Sequence, residues 1–124
     1  MANLVQFEKQ KYINIETYRK NGVGVKTPVW FAMEEGHFFV GTGAYTGKIK
    51  RVRNNSRVRI APCRFNGDVL GEWIEGLAII VEDKALKQHI IHILMRKYGL
   101  PILFYVFFER FYQGKNGYLH ITPD

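Results

Sequence analysis

The sequence predicts a mainly β protein of the α+β or small-barrel kind. Three observations carry that expectation. Apolar and polar residues alternate at period two in several stretches before Val81. Turn signals at Asn21-Gly22, Glu35-Gly36 and Asn66-Gly67 separate those stretches. Beyond Asp83 the apolar spacing becomes helical. The chain has 124 residues, which suits a single domain spanning 1–124, and an apolar content of 47% argues against disorder.

Each element has its own reason. Tyr12 to Tyr18 alternates Ile13, Ile15 and Thr17 against Asn14 and Glu16, the pattern of a half-buried strand. Val23 to Met33, rich in Val, Trp and Phe, reads as the second strand. Pro28 within it implies an edge, a bulge or a point where the backbone leaves the ladder. His37 to Val40 starts a third strand that closes on Gly41-Thr42-Gly43. Thr46 fits an N-cap, and Gly47 to Asn54 fits a short basic helix with Ile49 and Val52 on its inner stripe. Arg57 to Arg64 is the next strand, and Glu72 to Val81 another, with Gly76 as a bulge. Leu86, Ile90, Ile93 and Leu94 mark an amphipathic helix running to about Tyr98, with Gly99 as its C-cap. Pro101 suits the start of a second helix reaching about Tyr112, and Gly117 to Thr122 closes the chain as a strand.

The formal charge of +7 is unevenly spread. Gly36 to Gly67 contains no acidic residue and seven bases: Lys48, Lys50, Arg51, Arg53, Arg57, Arg59 and Arg64. Outside that window bases and acids number 11 each. The excess belongs to one short window, which either binds an anion or is solvated. The N-terminus has neither the basic nor the apolar region of a signal peptide, and no apolar run approaches the length of a membrane span. A cytoplasmic protein is expected.

Side-chain catalysis finds little support. A single cysteine, Cys63, excludes an internal disulfide framework and all-cysteine metal sites, and it suits a small buried strand residue. His89 and His92 stand three apart, not at the i, i+4 spacing of a helical zinc pair, and fit a packed or solvated face. No nucleophile elbow and no Walker loop appears. No catalytic residue and no metal site is assigned. An enzyme of this sequence would take its hard chemistry from a cofactor.

The segment Gly41-Thr42-Gly43-Ala44-Tyr45-Thr46-Gly47-Lys48 is the exception. Small residues leave a strand, a hydroxyl caps a helix, and a lysine stands in the first turn. Free N–H groups and the helix dipole attract a phosphate there. The same residues also suit a solvated surface helix.

Four stretches stand in familiar order: Lys26-Thr27-Pro28-Val29-Trp30-Phe31, Gly41-Thr42-Gly43, Thr46-Gly47-Lys48-Ile49-Lys50-Arg51-Val52-Arg53-Asn54-Asn55, and Val58-Arg59-Ile60-Ala61-Pro62-Cys63. Together they resemble the pyridoxamine-phosphate-oxidase-like flavin and deazaflavin-binding split β-barrels, and most of all the small oxidoreductases among them. The resemblance covers Tyr12 to Asp83 by motif. It implies a six-stranded antiparallel split barrel that forms a homodimer, with FMN or coenzyme F-420 in the groove between subunits. By that likeness the backbone of Thr27, Pro28, Val29 and Trp30 lines the ring. Thr42 and Gly43 admit the cofactor tail, and Thr46, Gly47 and Lys48 hold the phosphate. Arg51, at i+3 from Lys48, shares its helix face, and Lys50 does not. Ser56 departs from the family habit of proline after the Asn-Asn pair.

The expected function is a cofactor-dependent oxidoreductase that passes hydride to a small organic acceptor, with no nucleic-acid and no membrane partner. The alternatives are a non-catalytic carrier of a flavin, haem or bilin-type ligand on the same fold and, more distantly, a nucleic-acid-binding module, for which the basic window is the motive.

Overall fold

The computed structural model describes residues 3–43, 47–99 and 116–124. Six strands close into one antiparallel barrel: β1 (Tyr12–Tyr18), β2 (Gly24–Glu34), β3 (His37–Gly43), β4 (Arg57–Cys63), β5 (Ile74–Ile80) and β6 (Asn116–Pro123). Around the barrel the order is β1-β2-β3-β6-β5-β4. Helix α1 (Gly47–Asn54) lies between β3 and β4, and α2 (Lys84–Tyr98) precedes β6. The predicted second C-terminal helix falls outside the described residues.

Period two sets which side chains fill the barrel. Ile13, Ile15, Val29, Phe31, Phe38, Val40, Val58, Ile60, Leu119 and Ile121 point inward and form one core with Phe7. Ile49 and Val52 of α1 join that core, so the helix stoppers the barrel with its apolar stripe and leaves its bases outside. A second, external core forms where α2 lies on the sheet. Ile90 and Leu94 pack there against Ala32, Phe39 and Tyr118, with Trp30 and Tyr98 at the margin.

Gly99 caps the C-terminus of α2 as expected, and Asp83, not singled out from the sequence, caps its N-terminus. The Asp83 carboxylate accepts from Leu86 N–H at 3.2 Å, and Gly99 takes φ 71°. The far end of α2 is fastened at the end of the β1 ladder, which stops at Tyr12 opposite Trp30. One residue on, the Tyr98 hydroxyl accepts from Phe31 N–H at 3.0 Å. It gives its single proton to the carbonyl of Lys11 (2.6 Å) or of Phe31 (2.7 Å). Burial raises its pKa well above the usual phenol range. The Lys97 ammonium donates to Phe31 O at 2.9 Å and lies 3.5 Å from the Phe31 ring centroid. The residue as a whole is exposed, but desolvation of its ammonium lowers the pKa to about 8.

Two sequence expectations need correction. Gly76 is not a bulge: it stays in register with Val58 on one side and Pro123 on the other. Its role is close approach, since a Cβ there would lie 2.7 Å from the Thr122 carbonyl oxygen. The strand around it begins at Ile74 rather than Glu72, because Arg64 to Trp73 forms a connection of its own. Within that connection Arg64 N–H bonds Asp68 O, and Leu70 N–H bonds Pro62 O.

Candidate functional site

The barrel is split beside Pro28. Strand β2 pairs with β1 from Gly24 to Trp30 but with β3 only from Phe31 to Glu34. Strand β3 meanwhile turns to β6, pairing Gly41, Thr42 and Gly43 with Tyr118, Gly117 and Asn116. The edge of β2 from Gly24 to Val29 that faces away from β1 therefore has no ladder partner among the described residues. Proline belongs on such an edge, having no N–H to offer. Thr27, Pro28 and Val29 lie on it, and Trp30 stands where it ends, one residue before β3 pairing begins at Phe31. Their side chains point elsewhere: Val29 into the barrel core and Trp30 onto the Tyr98 ring, stacked at 5.3 Å. What the edge presents is backbone.

On the other side of the split, Thr42 is buried and its backbone pairs with Gly117. Gly43 is paired with Asn116. The chain enters α1 at Gly47, and Thr46 lies outside the described residues. Gly47, Lys48 and Arg51 come together at the start of that helix. A Cβ on Gly47 would lie 2.6 Å from Arg51 Nη1, so the guanidinium curls back over the glycine. Arg51 Nε donates to Thr17 Oγ1 at 2.6 Å. Lys48 is half-buried, whereas Lys50 is exposed.

This corner is electrostatically loaded. Burial lowers the Lys48 pKa, and the Arg51 charge lowers it further. Arg51 is lowered by burial and then by Arg19. Among the described residues neither Lys48 nor Arg51 has an acidic partner within salt-bridge distance. An anion placed here would relieve a repulsion that already exists. Arg19, in the turn after β1, was not singled out from the sequence, since its proximity to Arg51 depends on how α1 crosses the barrel end.

A second charged group lies on the outer face of β1, β2 and β4, and it is saturated. Glu16 is only 7% exposed, and its Oε1 accepts from Arg59 at 2.7 Å and 2.6 Å and from the Tyr18 hydroxyl at 3.1 Å. The bond to Glu16 raises the Arg59 pKa. Trp73 lies under both Arg59 (5.0 Å) and Lys26 (5.2 Å). Nearby Asn14 is buried beneath the Arg64–Trp73 connection, donating to Gly67 O at 2.9 Å. Cys63 is buried as expected, and desolvation pushes its thiol up to about 11, far from a reactive thiolate at neutral pH.

No family model matches the chain, and no curated protein matches it in sequence. Solved structures do match it. The heme storage protein HutZ from Vibrio cholerae superposes with a TM-score of 0.73 at 14% identity, over 94% of this chain and 84% of that one. An FAD-binding protein from Mesorhizobium loti gives 0.66 at 14% identity, over 97% and 84%. An F420 reductase gives 0.64 at 15% identity, over 100% and 94%. These likenesses establish the fold, a closed six-stranded split barrel. Among the described residues no helix is long and apolar enough to cross a membrane.

Proposed function

We propose that this protein binds a phosphorylated flavin-type cofactor, FMN or coenzyme F-420, along the split of its barrel and uses it as an oxidoreductase. The observation that carries the reading is the Lys48–Arg51 pair. Two half-buried cations meet at the start of α1, where the Arg51 guanidinium curls back over Gly47, with no described acid to neutralise them. A phosphate dianion fits that deficit of charge, and a bare backbone edge fits a flat, hydrogen-bonding ring. Proteins of this fold include an FAD-binding protein and an F420 reductase, which supports the same chemistry.

The cofactor would supply hydride transfer. The chain's own residues bind and orient. Lys48 and Arg51 neutralise the phosphate, Thr46 and Gly47 offer hydroxyl and backbone donors, and Thr42 and Gly43 let the tail pass close to the chain. The backbone from Thr27 to Trp30 meets the ring edge. The substrate in this reading is a small organic hydride acceptor.

The groove is completed by a second copy of the chain. Phe65, Val69 and Leu70 in the β4–β5 connection are exposed, and so are Leu77 and Ile79 on the outer face of β5. Apolar surface of this kind is covered in a homodimer. Sedimentation at low micromolar concentration should return a dimer, and a monomer there would remove the shared groove.

One spectrum tests the cofactor. A bound flavin absorbs at about 450 nm and a deazaflavin at about 420 nm, each as its chromophore dictates. Titration of the purified protein with FMN and with F-420 should show saturable binding of one of them, followed by reduction with a nicotinamide or deazaflavin donor. Failure to bind either sinks the proposal. Binding without turnover with any donor or acceptor would favour a carrier, a reading that the heme storage protein of the same fold also supports.

A further inference from the structure

Three of the four histidines gather on the outer face of the sheet, away from the split. His37 opens β3, and β3 spans about 20 Å from there to the Gly43 end that borders the split. His120 Nε2 lies 2.8 Å from His37 Nδ1, with the ring centroids 4.9 Å apart and the planes at 52°. Thr122 Oγ1 is 3.4 Å from the same His37 nitrogen. The His120 ring is held flat against Phe39, with centroids 4.8 Å apart at 21°. Glu34, the register partner of His37 on β2, is engaged with His89 of α2 at 2.7 Å. Both His37 and His120 remain partly exposed.

We propose that His37 and His120 form a chelating site for a borderline divalent metal ion of the Zn2+ class, with the Thr122 hydroxyl or water beside them. Two neutral imidazoles can face nitrogen to nitrogen at 2.8 Å only when a single shared proton lies between them. A metal ion takes the place of that proton and accepts both lone pairs. With metal–nitrogen bonds of about 2.0–2.1 Å and a tetrahedral angle, the two nitrogens stand about 3.3 Å apart. The pair needs to open by about 0.5 Å, a small side-chain rotation on rings already aimed at each other. The donors are imidazole nitrogens with a hydroxyl nearby, a set that suits zinc, copper or nickel rather than magnesium or calcium.

Two features prepare the site. Stacking on Phe39 fixes the His120 ring before the ion arrives, so little rotamer freedom is lost on binding. Glu34 stands next in the row and adds negative charge on the approach, although it is held by His89. The i, i+3 pair His89 and His92 on α2 provides an internal control, since both side chains are exposed and His89 is occupied by Glu34.

The test is a Zn2+ titration of the full chain in a non-coordinating buffer, followed by calorimetry and by histidine ring NMR. One equivalent should shift the His37 and His120 ring signals first. His37→Ala and His120→Ala should each weaken zinc binding at least about tenfold, whereas His92→Ala leaves it unchanged. The proposal is overturned if the first equivalent moves His89 and His92 instead, if binding is the same in His37→Ala and His120→Ala, or if no zinc binds. The ring signals are read on the unaltered protein, so the outcome stands even if a variant misfolds. None of these results depends on whether a flavin-type cofactor binds at the split.

Discussion

The basic window divides into two stretches of opposite character. In β4 the bases are satisfied. Arg59 is held by Glu16 and Arg57 by Asp124, with Arg57 Nη2 and Asp124 Oδ2 2.6 Å apart. In α1 the bases are not: Lys48 and Arg51 press on each other and find no described acid. The sequence makes the two stretches look alike, arginine and lysine alternating with Val and Ile. They differ in what the fold brings opposite. β1 delivers Glu16 to Arg59 through ladder register, since the two are cross-strand partners. α1 stands at the barrel end, where β1 offers only the Thr17 hydroxyl. A satisfied charge holds the protein together, and an unsatisfied one is available to a ligand.

Four experiments would break or sharpen this contrast. The largest effect should come from Glu16→Ala. It removes a buried partner and leaves Arg59 half-desolvated, and should lower unfolding free energy by about 2 kcal/mol in urea without altering cofactor affinity directly. A neutral result would mean the β4 stretch is no more tied down than α1. Next, Lys48→Ala should weaken binding of FMN or F-420 at least about tenfold, or about 1.4 kcal/mol, with the melting temperature of the ligand-free protein unchanged or raised. Unchanged affinity would refute the phosphate assignment.

A smaller effect separates the stretches by pH. The folded Lys48 pKa lies below its ordinary value of 10.5, because of burial and then Arg51. Between the two values the unfolded chain binds more protons than the folded one. Stability of the ligand-free protein should therefore rise with pH across that interval. Lys97 acts in the same direction from about 8 upward, so the informative quantity is the wild type minus Lys48→Ala difference. A difference that falls with pH would show that Lys48 already has an anionic partner. The smallest effect belongs to Arg57→Ala. The Arg57–Asp124 pair is solvent-exposed, at 44% and 48%, and its loss should leave the denaturation midpoint within error at moderate salt. A clear drop would mean that Asp124 is a structural clasp.

Much of the architecture was legible in the sequence, because its causes are local. Period-two alternation put Ile13, Ile15, Val58 and Ile60 inside the barrel, and Ile49 and Val52 marked the inner stripe of α1. Pro28 signalled a strand edge, and β2 does lose its β3 partner there. Gly76 misled, since a glycine in a strand reads as a bulge whether the backbone kinks or a neighbour comes close. Trp30 packs on Tyr98, and Trp73 lies under Arg59 and Lys26, contacts that join residues far apart in the chain.

By itself, then, the sequence determined the strands, the turns, the inserted helix and the location of the excess charge, all of which follow from side-chain spacing and local backbone preference. Only the tertiary structure decided which charges are paired, where the barrel splits, and that His37 meets His120 across 83 positions of chain. Those outcomes depend on ladder register and on the crossing of α1 and α2 over the sheet. Long-range packing sets both, and no window of neighbouring residues encodes them.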